Sequence, residues 1–92
     1  MALLDDDEIG RRLSELEGWE REGDALRKDF KRKDFVDAVE FVRSVVPVAE
    51  DMNHHPDVSI SWNKVTLSLS THSEGGITAN DFELASRLDR MS

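Results

Sequence analysis

The sequence predicts an α+β domain in which four strands form one antiparallel sheet and three helices pack on one face of it. The expected order is helix, strand, strand, helix, strand, strand, helix. Three observations predict it. Apolar residues recur at helical spacing in the middle of the chain, the period changes to two from Asp57 onward, and cap or turn signals separate the segments. At 92 residues the chain is expected to form a single domain, residues 1–92.

The first helix starts at Asp5 as N-cap, with Glu8 at the capping-box position and Leu4 and Ile9 at the spacing of a hydrophobic staple. Ile9, Leu13 and Leu16 make its stripe, and Gly18 is its stop. Residues 19–22 and 25–31 then flank Gly23-Asp24, a two-residue turn between strands. In the second of these strands Leu26, Lys28 and Phe30 share a face, an imperfect alternation. Asp34 caps the main core helix, whose apolar face is read as Phe35, Val39, Val42, Val46 and Ala49, broadened by Ala38, Val45 and Met52. Pro47 lies inside that helix and cannot donate to the carbonyl of Arg43, so a kink or local break is expected there.

Beyond Asp57, Val58, Ile60 and Trp62 alternate with serines. After a turn at Asn63-Lys64 the alternation resumes through Val65, Leu67, Leu69 and Thr71, with Ser68, Ser70 and His72 on the other face. Trp62 is read on the apolar side of its strand. The last helix is capped by Thr78, with Asp81 three residues on, Ile77 and Phe82 as staple, and Leu84, Ala85, Leu88 and Met91 facing the core.

Composition excludes several functions. Twelve Lys and Arg against 20 Asp and Glu give a formal charge of -8, which repels phosphate backbones and acidic membrane surfaces, so neither nucleic acid nor membrane is an expected partner. Without Cys there is no disulfide, no thiolate nucleophile and no Cys-based zinc site. The acidic start, Asp5 to Glu8, is unlike a secretory leader, and Val45 to Ala49, interrupted by Pro47, is far short of the roughly 20 residues of a membrane span. A soluble, cytoplasmic protein is expected. The glycines form neither a dinucleotide loop, nor a Walker A loop, nor a Gly-x-Ser-x-Gly elbow.

What remains is a cluster of imidazoles. All three His residues lie between positions 54 and 72, two of them adjacent ahead of Pro56, which biases His55 toward an extended conformation. Imidazole titrates near neutrality, so His54 and His55 in a fixed loop suit proton transfer, and the Asp57–His72 hairpin returns the third toward them. Each also has a plain structural explanation as an exposed loop or strand-end residue. Glu50, one helical turn before His54, and Asp81, the capping-box acid, can complete a polar pocket. Three His and a carboxylate could hold zinc, but adjacent loop histidines are not a helical His-x-x-x-His pair, and no metal is expected.

The ordered set Glu50-Asp-Met-Asn-His54-His55-Pro56, Trp62, Leu69-Ser-Thr71-His72, Gly76-Ile-Thr78, Asp81 and Leu84-Ala85 resembles the pterin-4a-carbinolamine dehydratase family, also known as the dimerization cofactor of a hepatocyte homeodomain factor. The resemblance extends upstream through Gly18-Trp19, Leu26 and Asp34-Phe35. It implies the α+β fold already read from periodicity. It also implies dehydration of a 4a-hydroxytetrahydropterin to quinonoid dihydropterin in tetrahydrobiopterin recycling, without cofactor or metal. His54 is then the principal acid/base group, His55 a second proton donor or positioning group, and His72 a base or orienting partner from the opposing side. Asn53, Ser70, Thr71 and Ser73 become substrate contacts, and Glu50 and Asp81 become carboxylates that hold imidazole tautomers. The chain departs from the family at Asn53, where some relatives have Asp, at Arg32, where an apolar residue is frequent, and at Pro47.

Relatives on this scaffold also act as a transcriptional coactivator or a RuBisCO assembly chaperone, so an interaction protein is the rival reading. Retention of all three His favours the enzyme, because a scaffold has no physical need of them. A homodimer is expected, with a tetramer as the alternative, since a chain this short buries little surface alone.

Overall fold

The computed structural model describes residues 2–92. The element order is the expected one: α1 (Asp6–Leu13), β1 (Glu20–Glu22), β2 (Ala25–Lys31), α2 (Phe35–Met52), β3 (Asp57–Ser61), β4 (Lys64–Leu69), a 3₁₀ turn at His72–Glu74, and α3 (Ala79–Met91). The four strands make one antiparallel sheet in the order β1-β2-β4-β3, with β2 and β4 paired in the middle.

Register decides what the sheet buries. Leu26 pairs with Leu69 and Phe30 with Val65, and these residues together with Leu67 turn to the helical side. There they meet Ala38, Phe41 and Val45 of α2 and Phe82, Leu84, Ala85 and Leu88 of α3 in one apolar cluster. Lys28 explains the imperfect alternation of β2. It occupies an inward position and is neutralised by Asp89 of α3 at 2.9 Å, while Trp19 donates its ring N–H to the same carboxylate at 3.0 Å.

Local expectations are corrected in four places. In α1, Asp5 caps by accepting the Glu8 N–H, but the Glu8 carboxylate turns forward to Arg11 and Arg12 and does not close a capping box. The helix also ends at Leu13, because Glu15 and Leu16 donate three residues back to Arg12 and Leu13 and so wind the chain out of the α ladder. Leu16 still packs on the core from this turn.

In α2, the buried face is Ala38, Phe41, Val45 and Ala49, whereas Phe35 and Val46 are each 54% exposed. The helix carries more apolar residues than one stripe can bury, and the expected stripe was set about one position off, omitting Phe41. Pro47 does not break the element, which runs unbroken from Phe35 to Met52. Pro47 and Arg43 both sit on the exposed face, where water can satisfy the carbonyl that proline leaves without a donor.

The β3–β4 turn is Trp62-Asn63, one residue earlier than expected, since Ser61 pairs with Lys64. Asn63 is held by the strand extension beyond β2, accepting the Arg32 N–H at 2.7 Å and donating its side-chain amide to the Arg32 carbonyl at 3.1 Å. Trp62 therefore takes the left-handed position, with φ of 51°, and its side chain is 69% exposed and not on the apolar side of the sheet. Finally, β4 stops at Leu69. Thr71 makes only an isolated bridge to Gly76, and His72 lies in the 3₁₀ turn, so it does not share a strand face with Ser68 and Ser70.

Candidate active site

Helix α2 delivers the first two imidazoles through its C-cap. Asn53 adopts the left-handed conformation (φ 49°, ψ 44°), and the N–H groups of Asn53 and His54 bond back to the carbonyls of Glu50 and Ala49. Asn tolerates this conformation better than most residues, and so ends the helix with a sharp reversal. After it, the two neighbouring side chains separate. His54 turns inward, with 9% of its surface exposed, and His55 turns outward.

His54 meets Asp81, a carboxylate from the first turn of α3 with no exposed surface; Nε2 of the ring lies 2.5 Å from Oδ1. The other oxygen, Oδ2, accepts the Thr71 hydroxyl at 2.9 Å and the Thr78 backbone N–H at 2.9 Å. Thr71 and Thr78 are themselves joined, Oγ1 to Oγ1, at 2.7 Å. Asp81 thus closes the capping box of α3 and contacts His54 at once. A buried carboxylate needs its acceptor positions filled by donors, and here they come from the end of α2, the start of α3 and the residues just after β4.

His55 has its own carboxylate. Its Nε2 lies 2.5 Å from Oε2 of Glu50, with both side chains exposed. The two carboxylates expected near the imidazoles are therefore divided, Asp81 to His54 and Glu50 to His55. His72 follows Thr71 directly and is exposed in the 3₁₀ turn, with Ser73 beside it, also exposed. Ser70 is drawn to the other side, donating to the Asp24 carbonyl at 2.8 Å. The hydroxyl of Thr71 is bonded to both Asp81 and Thr78. His54, Asp81 and Thr71 are thus brought into one hydrogen-bonded unit, His55 and Glu50 form a second, and Asn53 serves the turn that separates them. Sequence reasoning read Thr78 as a cap alone; its hydroxyl joins the first unit, and the signal was the capping box, which places the Thr78 side chain beside Asp81.

A groove of about 250 Å³ runs along α2 and β3, lined by Val42, Val45, Val46, Ala49, Pro56 and Val58, with Glu50 and His55 at its rim. A larger recess, about 510 Å³, lies between α1 and α3 beside Arg11, Phe82 and Arg90, and includes none of the three His. Among the described residues no group of three His, Asp or Glu side chains converges as metal ligands would, and no helix is long and apolar enough to cross a membrane.

Comparison with known proteins gives a consistent picture. A sequence model of the family described as Pterin 4 alpha carbinolamine dehydratase matches residues 2–91. A protein of Sulfolobus acidocaldarius, provisionally named a pterin-4-alpha-carbinolamine dehydratase, is 53% identical over 88 residues, covering 96% of this chain and 97% of its own. One from Roseiflexus castenholzii with the same provisional name is 51% identical over 90 residues, covering 98% and 97%. Among solved structures, the transcriptional coactivator/pterin dehydratase of Brucella melitensis superposes with a TM-score of 0.90 at 33% identity, over 96% of each chain. A pterin dehydratase-like protein identified as a RuBisCO assembly factor in the alpha-carboxysome shares the fold, with a TM-score of 0.64 at 16% identity over 79% of this chain and 84% of that one.

Proposed function

We propose, for a chain that belongs to the pterin 4 alpha carbinolamine dehydratase family, that it is a hydro-lyase removing water from a 4a-hydroxytetrahydropterin to give quinonoid dihydropterin. The observation that carries this reading is the almost buried imidazole of His54 held against the buried carboxylate of Asp81 and flanked in the chain by His55. In the reaction the C4a–O bond breaks and the hydroxyl leaves as water after taking up a proton. The neighbouring ring nitrogen loses its proton, and that electron pair closes the C=N bond. Both transfers occur near neutral pH, where imidazole is an effective acid and base. His54 is the principal acid/base group, since it is the enclosed imidazole and its ring is held in place by a buried carboxylate. His55 is a second donor or positioning group, and His72 is the base or orienting partner. Asn53, Ser70, Thr71 and Ser73 border the pterin, with Thr71 contributing something other than its committed hydroxyl. No step requires a metal or cofactor.

The decay of freshly generated 4a-hydroxytetrahydropterin, followed by stopped-flow absorbance with the uncatalysed background subtracted, tests the proposal. The wild-type chain accelerates the decay, and His54→Ala loses at least about a hundredfold, the usual contribution of a positioned acid/base group. Wild-type protein that does no better than buffer sinks the enzyme reading, and His54→Ala and His72→Ala variants that accelerate the decay as much as the wild type remove the site.

A second reading, an interaction role in the cytoplasm on the same scaffold, draws on a different observation. Phe35, Val36, Val46, Val58 and Trp62 are large apolar side chains left exposed. The first partner for such a surface is another copy of this chain. Of the two sheet edges, β1 is three charged residues, whereas β3 presents Val58 and Ile60 with no Lys to blunt it. A homodimer through that region, or a tetramer that also uses α2, covers the apolar surface. A further protein partner, as for a transcriptional coactivator or a RuBisCO assembly chaperone, would need part of it free.

A further inference from the structure

The hydrogen bonds around Asp81 have only one consistent set of directions. The Thr78 hydroxyl oxygen accepts from the backbone N–H groups of Asn80 and Asp81, so both of its lone pairs are taken and its single proton must go to Thr71. Thr71 then spends its own proton on Asp81 Oδ2, which also accepts the Thr78 N–H. A proton on the carboxylate could therefore sit only on Oδ1, facing His54. Oδ1 has no other donor among the described residues, so an N–H carried on the facing ring nitrogen is what satisfies it. The proton between the two residues belongs to His54 Nε2.

The other ring nitrogen has a different fate. His54 Nδ1 has no hydrogen-bond partner among the described residues, yet the only buried side-chain nitrogen or oxygen in them that lacks a partner is Arg32 Nε. Nδ1 is therefore the nitrogen that reaches the surface, through the small part of His54 left open.

We infer that Thr71 and Thr78 are positioning residues forming a one-way hydrogen-bond relay that locks His54 with its proton on Nε2, so that proton transfer to and from substrate occurs at Nδ1. This rests on the dehydratase reading above and names the reacting atom within it. As base, neutral His54 accepts the proton of the pterin ring nitrogen on the Nδ1 lone pair. As acid, it returns that proton from Nδ1 to the leaving hydroxyl. The Nε2–H bond to Asp81 stays intact throughout, and no charge is created that the carboxylate does not face.

Nitrogen-15 chemical shifts of the His54 ring, measured on the labelled full chain at a pH high enough that the ring no longer titrates, decide the matter. A protonated, pyrrole-type Nε2 and a lone-pair, pyridine-type Nδ1 are expected; the reverse pattern overturns the inference from the wild-type spectrum alone. Thr71→Val should convert the single tautomer into a mixture and slow pterin dehydration about tenfold in kcat with KM little changed, the scale of one lost hydrogen bond to a charged group. Thr71→Ser, which restores the hydroxyl, should recover both. A Thr71→Val variant with the wild-type tautomer and rate would show the relay to be structural only and overturn its positioning role. If the tautomer is as expected but the wild-type chain does not accelerate dehydration, the proposed function fails and the tautomer assignment stands.

Discussion

Asp81 carries two duties with one carboxylate, capping α3 and holding His54. Asp81→Asn replaces the acceptor facing His54 with an amide, so either the ring changes tautomer or an N–H faces an N–H in a buried site. A loss of about 3 kcal/mol is expected from urea denaturation, together with loss of dehydration, because breaking a buried, hydrogen-bonded ionic contact leaves its partners unsatisfied. An unchanged urea midpoint would mean that the network contributes nothing to the fold. Asn53 behaves differently, since its role in the turn is set by backbone conformation. Asn53→Gly should keep the wild-type stability, and Asn53→Val should lose about 1–2 kcal/mol, the cost of forcing a β-branched residue into the left-handed region. These two residues show what was legible at this scale. The cap at Thr78 and Asp81 could be read because capping boxes have a fixed spacing. The pairing of Glu50 with His55 could not, because which of two adjacent histidines turns inward depends on the backbone reversal at Asn53.

At the scale of elements, β2 and α3 are joined by the cluster of Lys28, Asp89 and Trp19, half-hidden between sheet and helix. Asp89→Ala strands the Trp19 N–H and the Lys28 ammonium together, and should lower stability by about 2 kcal/mol in urea titration. Lys28→Met, which can fill the same inward space, should cost less. The ends of α1 and α2 make a pH prediction. Hydrogen bonds from Arg11, and then Arg12, hold the Glu8 carboxyl below its ordinary 4.5, and the Lys33 N–H, with Arg32, holds Asp37 below 3.8. Because both folded values are depressed, the unfolded chain binds protons first on acidification. The stabilisation is complete above 4.5 and is lost as the pH falls through the folded values. Urea midpoints should therefore drop on acidification below that point, and Glu8→Gln should shrink the drop. Element order was legible because each period and cap was strong. The face of α2 was not, since Phe35, Val36, Val39, Phe41, Val42, Val45, Val46 and Val48 encircle too much of the helix for spacing alone to choose. The choice is made by the sheet, and Arg32 contributes by laying its guanidinium 4.7 Å from the centre of the Phe41 ring.

Across the whole molecule, the apolar surface at Val46 and Val58 and the open edge of β3 make self-association the expected state. Sedimentation of Val46→Glu/Val58→Lys at matched concentration should show a smaller species than the wild type, with the far-ultraviolet dichroism of the folded chain retained. Equal sedimentation would place the interface elsewhere or deny it. No spacing rule in the sequence distinguishes apolar residues that pack within the chain from those left exposed, and Trp62 is exposed because the β3–β4 turn starts one residue earlier than alternation implies. Its true position has a practical consequence. The chain holds two tryptophans, one enclosed beside Lys28 and Asp89 and the other standing in water on a left-handed turn. Their emission should separate into a blue component that reports unfolding and a red, readily quenched component that reports whatever docks at the sheet's end. With Trp62→Phe as the blank, the molecule carries a built-in optical gauge that follows folding and association in one cuvette without any attached dye.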